Sequence, residues 1–293
     1  IIRKYCYLNK RIERISLFLL KKLSISDSHK MKNEEKKLEK ELKNASILIV
    51  GGGSIGSQLA KKLLEYPIHS IRILDIDEYA LFKIKKNLND NRIRYLLGNI
   101  LDKDRVYLAM KDVDIVIHTA AIKNIEISEF NPIETIEVNI NGTVNLIKKS
   151  MELYPKKFLY ISTDKAAEPS TLYGTTKQIG ERLVSWAGSH NVKTKYGTIR
   201  FGNVFETRGN ALEIWREQKN EKIPLTITEP NMERYYFHMD EAIDFILECI
   251  IKTNRGEIFV PKMKSYLIKE LASKISDRHK IIGIRQGEKI KEV

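Results

Sequence analysis

The chain has 293 residues, a formal net charge of +13, and 42% hydrophobic and 30% charged residues. This length suits one large domain or two closely joined ones, and the composition is typical of a globular protein. No run approaches the roughly 20 apolar residues that span a bilayer, so we expect no integral membrane segment in this chain. The basic residues are spread along the chain, which favours a solvated surface over nucleic-acid binding.

The two cysteines, Cys6 and Cys249, have neither C-x-x-C spacing nor a histidine cluster beside them. We therefore expect neither a disulfide framework nor a metal site. A reducing cytoplasm fits this cysteine usage best. Because the first residue is Ile rather than Met, the sequence can be a fragment, and membrane association through an upstream segment stays open.

Residues 1–45 differ from the rest and are predicted to form a helical extension. Between Arg11 and Leu23, apolar residues recur at helical spacing with basic residues between them, and a charged helical stretch follows at about 33–42. The favoured interpretation is a helix packed on the main domain or on a partner subunit. A basic amphipathic helix on a membrane surface is the alternative.

Residues 46–199 alternate between apolar strands and helical segments at the distances of βαβ units. The predicted strands lie at 47–50, 71–74, 94–97, 115–117, 158–161 and 195–199. Short, wholly apolar runs are expected of strands buried on both faces of a parallel sheet. The fold class is thus α/β, a Rossmann-like doubly wound parallel sheet, with a smaller and more mixed region at 200–293.

The first strand runs directly into a glycine-rich turn and then a helix. Gly51, Gly53 and Gly56 form G-x-G-x-x-G, with Ser54 and Ile55 inside the motif. The first glycine permits the turn, the second allows close approach of a pyrophosphate, and the third allows helix and strand to pack closely. The helix N-terminus then offers N–H groups to phosphate. The motif predicts a dinucleotide site.

Asp75 ends the second strand about twenty residues after the last glycine, where a carboxylate accepts hydrogen bonds from ribose hydroxyls. It would repel a 2′-phosphate, and Ile76 stands where NADP enzymes often carry a cation. We therefore favour NAD over NADP, with NADP still possible. The alternative is that Asp75 only caps the next helix. Asn99 and Ile100, after the third strand, are expected to flank the adenine.

A candidate catalytic group follows the fifth strand. Thr163 supplies a hydroxyl at the strand end, and Tyr173 and Lys177 are four residues apart, on one face of a predicted helix. A nearby ammonium stabilises a phenolate and lowers the pKa of the tyrosine. Tyr173 would then act as a base towards a substrate hydroxyl, while Lys177 also bonds the nicotinamide ribose.

The chain resembles the extended short-chain dehydrogenase/reductase family, and within it the UDP-N-acetylglucosamine 4,6-dehydratases that invert C5. The resemblance covers 46–293. It rests on Ala120-Ala121-Ile122-Lys123, Asn139-Ile140-Asn141-Gly142-Thr143, Ser162-Thr163-Asp164-Lys165-Ala166, Tyr173 with Lys177, Arg200-Phe201-Gly202-Asn203-Val204, Arg208-Gly209, Pro224-Leu225-Thr226-Ile227-Thr228, Gly256-Glu257-Ile258-Phe259-Val260-Pro261 and Arg285-Gln286-Gly287-Glu288-Lys289. The chain departs from the family in a shorter glycine loop, in Asn124 for a usual His and in Gln286 for a usual Pro.

The resemblance implies a redox cycle within one sugar, for surface glycan biosynthesis. Tyr173 would take the O4 proton, Lys165 would remove the C5 proton, and Asp164 would help the C6 hydroxyl leave as water. Retaining relatives carry Asp-Glu where this chain has Asp164-Lys165, so Lys165 implies inversion. Without the resemblance, the favoured interpretation of Lys165 is an exposed loop lysine paired with Asp164.

The resemblance also assigns the ligand contacts and the domains. It implies that 46–199 binds NAD(P) and that 200–293, partly interleaved with it, mostly binds the nucleotide sugar. It adds Ala120 and Lys123 to the residues that are expected to bind the cofactor. The residues expected to bind the substrate are Lys123, Ser162, Thr163, Asn203, Arg208, Thr228, Arg285 and Glu288. A homo-oligomer is expected. A UDP-sugar 4-epimerase, a retaining dehydratase and a non-catalytic NAD-binding protein are the alternatives.

Overall fold

The structure is a computed structural model that describes residues 25–285 and 287–293. The chain divides into two compact units, the first ending at Glu41 and the second running from Leu42 to Val293. In the first, helix α1 spans Ile25–Leu42, reaching one residue into the second, and it confirms the predicted helical stretch at 33–42. The predicted helix between Arg11 and Leu23 lies outside the described residues.

A seven-stranded sheet forms the centre of the second unit. Its order is β10-β6-β5-β4-β1-β2-β3, and all neighbours are parallel. The six predicted strands are confirmed, and β10 is an additional one. The bounds are β1 Ser46–Val50, β2 Ser70–Asp75, β3 Ile93–Leu97, β4 Ile115–His118, β5 Lys157–Thr163, β6 Lys195–Phe201 and β10 Arg255–Phe259. Every residue of β4 and β5 is buried, as expected of central strands covered on both faces.

Several of the helices between the strands begin at side chains that accept hydrogen bonds from the first-turn N–H groups. Asp77, Asp102 and Thr171 cap α3, α4 and α8 in this way. The helices are α2 Ser54–Leu63, α3 Glu78–Leu88, α4 Lys103–Met110, α5 Ile125–Phe130, α6 Pro132–Ile136, α7 Gly142–Leu153 and α8 Leu172–His190. A π-helical turn, Glu137–Asn141, leads into α7, and a 3₁₀ turn, Asp164–Ala166, follows β5.

Beyond Phe201 the chain builds smaller elements around a second apolar core. Trp215, Leu225, Tyr236 and Leu271 lie in that core. The elements are β7 Asn203–Val204, α9 Ala211–Asn220, β8 Leu225–Ile227, β9 Glu233–Phe237, α10 Met239–Lys252, β11 Lys264–Leu267, α11 Ile268–Ser273 and β12 His279–Ile281. They form a three-stranded sheet, β11-β9-β7, and a pair, β12-β8, while β10 returns to the edge of the large sheet.

The strand order reverses at β1, which lies between β2 and β4. In open parallel sheets, ligands bind beyond the carboxyl ends of the strands at such a reversal. The glycine loop after β1 and the segment after β4 are therefore neighbours at this edge. Within residues 25–285 and 287–293, no helix combines the length and apolar character needed to cross a membrane.

Candidate active site

The glycine loop between β1 and α2 has the geometry that a dinucleotide requires. Gly51 has φ +106°, and a Cβ there would lie 2.6 Å from Thr119 Oγ1. A Cβ at Gly56 would lie 1.9 Å from the Gly51 carbonyl oxygen, so only glycine permits this approach of helix and strand. The corresponding position at Gly53 has no atom within 4 Å, which leaves space beside the backbone. No side chain caps α2, so its first N–H groups suit an anionic ligand.

The Asp75 carboxylate is fixed beside this loop. Its Oδ2 accepts a hydrogen bond from Gly52 N at 2.5 Å, and its Oδ1 accepts one from Asp77 N at 2.8 Å. Helix α3 is capped by Asp77, which accepts from Ala80 N, so the alternative that Asp75 is only a helix cap is wrong. The carboxylate therefore stands at the carboxyl end of β2, where a ribose would meet it.

Other predicted cofactor residues differ in their placement. Ala120 lies against the glycine loop, because its N–H donates to Val50 O at 2.8 Å. Asn99 Oδ1 accepts from Leu101 N at 2.9 Å, and Ile100 is buried in the core. Asn99 and Ile100 are not among the residues that line the large cavity described below.

A cavity of about 450 Å³ brings most of the remaining predicted residues together. It extends from the start of α2, past the end of β5, to the C-terminal elements. The predicted residues that line it are Ile55, Lys123, Ser162, Thr163, Lys165, Tyr173, Lys177, Asn203, Arg208, Thr228, Arg285 and Glu288. The glycines of the loop, Ser54, Asp75, Ala120 and Asp164 do not line it.

The turn after β5 joins an acid and an amine. Asp164 is 3% exposed, and its Oδ1 accepts hydrogen bonds from Thr163 Oγ1 at 3.0 Å and from Lys165 Nζ at 2.9 Å. Its Oδ2 is buried and has no hydrogen-bond partner among the described residues. The Lys165 side chain is 15% exposed and lines the cavity, so it is not an exposed loop lysine.

Tyr173 is placed in the cavity by the first turn of α8, whose start Thr171 caps. Burial raises the pKa of Tyr173 well above its usual value, and the negative charge of Asp164 raises it further, while a hydrogen bond with Thr163 lowers it. The expected lowering of this pKa by Lys177 is therefore not what the structure has. Desolvation of the phenolate is the larger effect here.

Lys177 lies behind Tyr173, directed at the backbone of β5. Its Nζ donates to Ile161 O at 2.5 Å and lies 3.9 Å from the centroid of the Tyr160 ring. Burial lowers the pKa of Lys177 to about 7, against an opposing contribution from Glu181. An amine with this pKa changes its charge near neutral pH, which suits a group that supports proton transfer.

Lys123 and Ser54 hold the same peptide segment from two sides. Lys123 Nζ donates to Arg208 O at 2.9 Å, and Ser54 Oγ accepts from Arg208 N at 3.1 Å. Burial lowers the pKa of Lys123, while Glu213 opposes that shift. The segment that carries Arg208 is thus attached to the start of α2.

Ser162 borders the cavity, but its hydroxyl already donates a hydrogen bond within the protein. It donates to Glu181 Oε1 at 2.6 Å, and Glu181 also accepts two hydrogen bonds from the Arg200 guanidinium, at 2.9 and 2.5 Å. This buried network fixes the end of β5 against α8.

The remaining predicted substrate residues lie on the C-terminal side of the cavity. Asn203 Nδ2 donates to Tyr235 O at 3.2 Å, and Thr228 Oγ1 lies 3.6 Å from Met232 Sδ. Arg285 and Glu288 share a turn, in which Glu288 N donates to Arg285 O at 3.1 Å. No hydrogen bond or ion pair of the Arg285 guanidinium is recorded within the described chain.

Sequence reasoning did not identify Asn139 as a site residue. Its Oδ1 accepts from Ile122 N at 2.8 Å, and its Nδ2 donates to Ile122 O at 2.9 Å and to Thr176 Oγ1 at 3.0 Å. It therefore ties the segment after β4 to the helix that carries Tyr173. No local pattern marks this role, although Asn139 lies in a string that supports the family resemblance.

Glu292 is a second residue that sequence reasoning did not identify. It is buried, and its carboxylate oxygens lie 3.8 Å from Lys165 Nζ and 3.0 Å from Lys289 Nζ. No motif places the penultimate residue of the chain beside a turn 127 positions earlier.

The residues at the β1–β2 edge fit a nicotinamide dinucleotide. The open space at Gly53 and the uncapped start of α2 suit a pyrophosphate, and the fixed Asp75 carboxylate suits an unphosphorylated ribose. Among the described residues, no group of three or more His, Cys, Asp or Glu side chains is arranged to hold a metal ion.

Comparisons with known proteins identify relatives over most of the chain. An uncharacterized membrane protein of Methanocaldococcus jannaschii is 40% identical over 266 residues, covering 85% of this chain and 80% of the relative. An inverting UDP-N-acetylglucosamine 4,6-dehydratase of Campylobacter jejuni is 39% identical over 257 residues, covering 85% and 76%. A UDP-glucose 4-epimerase of Rickettsia bellii is 34% identical over 257 residues, covering 83% and 75%.

Among solved structures, a dTDP-glucose 4,6-dehydratase from Streptomyces venezuelae with NAD and TYD bound superposes with a TM-score of 0.79. It is 19% identical and covers 84% of this chain and 87% of its own, so it confirms the Rossmann-like fold alone. The family described as polysaccharide biosynthesis protein matches residues 47–293. With that match and relatives of up to 40% identity over most of its length, the chain belongs to the polysaccharide biosynthesis protein family.

Proposed function

We propose that this protein is an inverting UDP-N-acetylglucosamine 4,6-dehydratase that serves surface glycan biosynthesis. The observation that carries the proposal is that Lys165 lines the same cavity as Tyr173 and is hydrogen-bonded to the buried carboxylate of Asp164. An acid, an amine base and a phenol at one site match what removal of water from a sugar needs. The 39% identical relative with this activity supports the same assignment.

The first step is oxidation at C4 of the sugar. Tyr173 takes the proton from the O4 hydroxyl as a phenolate, a form that its burial disfavours and that its hydrogen bond with Thr163 favours. The redox chemistry would come from NAD held at the glycine loop and Asp75, which would take up the hydride from C4 and supply it to C6. Lys177, with its pKa lowered to about 7 by burial, supports the proton transfer at Tyr173.

The second step is elimination of water. The 4-keto group makes the C5 proton acidic, Lys165 removes it, and Asp164 protonates O6 so that the C6–O bond breaks and water leaves. A base must be neutral, whereas free Lys titrates near 10.4. The 2.9 Å hydrogen bond places the two groups so that a proton can pass between them.

The placement of the side chains supports the following ligand contacts. NAD is held by Gly51, Gly53, Ser54, Ile55, Gly56, Asp75, Ala120 and Lys123, and its adenine is flanked by Asn99 and Ile100. For the sugar nucleotide, Arg208 and Arg285 suit the diphosphate because a guanidinium bonds phosphate through two parallel donors. Glu288, Asn203, Thr228 and Ser162 complete the substrate contacts.

A UDP-sugar 4-epimerase is the second candidate, because a 34% identical relative has that name. Epimerisation needs Tyr173 and Lys177 but neither an acid for O6 nor a base for C5. The buried Asp164 joined to Lys165 has no task in that reaction, and burying a carboxylate without a task is costly. The elimination therefore accounts for more of the site than the epimerisation does.

The proposal also includes the division of the chain into domains, its oligomeric state and its location in the cell. Residues 46–199 form the cofactor-binding part and 200–293 mostly the sugar-nucleotide-binding part, interleaved through β10. The protein works as a homo-oligomer, for which the exposed side chains of Phe130 and Ile133 on neighbouring short helices offer an apolar surface. It acts in the cytoplasm, in keeping with its free Cys249.

The test is incubation of the purified full chain with UDP-N-acetylglucosamine in D2O, followed by mass spectrometry and proton NMR. The expected product has lost one water, carries deuterium at C5 and has the L-arabino configuration with a 4-keto group. Absence of water loss, with NAD and NADP both supplied, would overturn the proposal. Interconversion at C4 without water loss would establish the epimerase instead.

A further inference from the structure

The Glu292 carboxylate joins the Lys165 amine to the C-terminal segment of the chain. Its Oε1 lies 3.8 Å from Lys165 Nζ, and its Oε2 lies 3.0 Å from Lys289 Nζ. Glu292 is 4% exposed, and a carboxylate that deep is tolerated only when it is paired. The two lysines supply that pairing from opposite oxygens.

The segment that carries Glu292 is anchored along β9. Glu233 N donates to Ile290 O at 2.8 Å, Lys291 Nζ lies 2.9 Å from Glu233 Oε2, and the Arg234 guanidinium donates to Lys289 O at 2.8 Å. These bonds fix the three residues that precede Glu292. The position of its carboxylate is therefore set by the fold.

Lys289 attaches the same segment to the catalytic turn. Its Nζ donates to Ala167 O at 2.8 Å, two residues after Lys165, and to Glu292 Oε2 at 3.0 Å. Lys165 consequently lies between two carboxylates that different parts of the chain carry. Asp164 comes from its own turn, and Glu292 comes from the end of the chain.

We propose that Glu292 is a positioning residue for Lys165, which holds the amine in place while its bond with Asp164 is broken. The proposal rests on the proposed dehydration. In that reaction Asp164 gives its proton to O6, so its hydrogen bond with Lys165 changes during the step. Glu292 Oε2 is paired with Lys289, and Glu292 Oε1 lies 3.8 Å from Lys165 Nζ, so an acceptor stays beside Lys165.

The step balances without any further reactant. The C5–H bond breaks and its proton forms an N–H bond on neutral Lys165, while the electron pair forms the C5–C6 double bond. The C6–O bond breaks, and the oxygen leaves with the proton of Asp164 as water. Lys165 becomes an ammonium and Asp164 a carboxylate, and Glu292 neither gains nor loses a proton. Glu292 then faces the newly formed ammonium, which an opposite charge stabilises.

The test compares Glu292→Gln with the unchanged full-length enzyme, using UDP-N-acetylglucosamine and the same sugar deuterated at C5. We expect kcat to fall roughly 10- to 100-fold while KM changes little, because a displaced base slows the C5 step without altering binding. The isotope effect of C5 deuteration on kcat should rise, because that step becomes more rate-limiting. Glu292→Asp, which keeps the charge, should recover part of kcat.

Glu233→Gln is the matched control, because it removes an ion pair of the same segment and leaves Glu292 in place. An equal fall of kcat in this control would mean that Glu292 acts only by anchoring the segment, and would overturn the proposal. An unchanged kcat and isotope effect in Glu292→Gln would also overturn it. Failure of the unchanged enzyme to release water would instead overturn the proposed function, and this proposal with it.

Discussion

Lys165 Nζ lies 2.9 Å from Oδ1 of Asp164, a buried carboxylate whose other oxygen has no hydrogen-bond partner among the described residues. The carboxylate thus gives one oxygen to the amine and leaves the other unpaired. Because an unpaired buried acceptor costs about 1–3 kcal/mol, stability alone does not explain this arrangement.

The charge and the basicity of Lys165 can be separated by substitution. Lys165→Arg keeps a cation beside Asp164 but cannot be deprotonated in a protein, while Lys165→Met removes both properties. We expect both variants to lose water release by roughly 100-fold or more, because each lacks the C5 base. Isothermal titration with UDP should give similar affinities for both variants and for the unchanged protein. Activity in the Arg variant close to normal would contradict the role of Lys165 as a base.

Tyr173→Phe should remove the base for the O4 proton and leave the cavity nearly the same in shape. We expect the dehydration rate to fall roughly 100- to 10,000-fold, with UDP affinity retained. Tyr235→Phe, on β9 and outside the cavity lining, is the matched control and should keep near-normal turnover. Single-turnover assays by mass spectrometry would measure both. A Phe variant at 173 that still dehydrates quickly would assign the first step to another group.

Local patterns were sufficient to predict six of the seven strands of the large sheet and the glycine loop beside them. The strands that lead to Gly51 and Asp75 are short apolar runs, which is typical of buried parallel strands. The glycine spacing predicts a turn that only glycine can adopt, and Gly51 has the positive φ of +106° that such a turn needs. The surroundings of Lys177 and Glu292 were not predictable in this way. The pKa of Lys177 depends on burial against β5, and Glu292 reaches Lys165 only through β9, so both depend on long-range packing that no periodicity encodes.

Asp75→Asn should weaken the preference for NAD. The change removes the charge that repels a 2′-phosphate and one strong acceptor for ribose, and a hydrogen bond to a charged group contributes about 1.5–3 kcal/mol. We expect NAD affinity to fall and NADP affinity to rise, moving the ratio by at least about tenfold. Asp77→Asn changes the net charge equally and keeps a good N-cap for α3, so it should leave the ratio nearly unchanged. Fluorescence titration of both cofactors measures the ratio, and equal shifts in the two variants would contradict the assignment of Asp75.

Ser54→Ala should affect the sugar nucleotide although Ser54 lies in the cofactor loop. Its hydroxyl accepts a hydrogen bond from Arg208 N, so the change releases one of two attachments of the segment that carries Arg208. We expect KM for the UDP-sugar to rise several-fold, since a net hydrogen bond contributes about 1 kcal/mol. Ser57→Ala, further along the same helix, is the control. A rise confined to the KM of NAD would show that the attachment does not reach the substrate side.

The burial of His118 leads to a prediction about the pH dependence of stability, which does not depend on the proposed dehydration. It is fully buried at the end of β4, and burial, reinforced by the charge of Lys177, lowers its pKa from 6.5 to about 3. Between those values the unfolded chain binds a proton that the folded chain does not, so the stability contributed by neutral His118 is lost as the pH falls. His118→Gln keeps a partner for Thr143 Oγ1, which lies 3.0 Å from His118 Nε2, but does not titrate.

The free energy of unfolding should therefore fall more steeply with acidification in the unchanged protein than in His118→Gln. From about pH 7 to about pH 5, we expect the difference between the two proteins to move by about 2 kcal/mol in favour of the variant. Urea unfolding followed by circular dichroism at both pH values measures this difference. His69→Gln is the control, since His69 lies on the surface before β2 and should leave the pH dependence as it is. Parallel pH profiles for the unchanged protein and His118→Gln would mean that His118 keeps an ordinary pKa, and that the interior beneath Tyr173 and Lys177 is better solvated than its burial indicates.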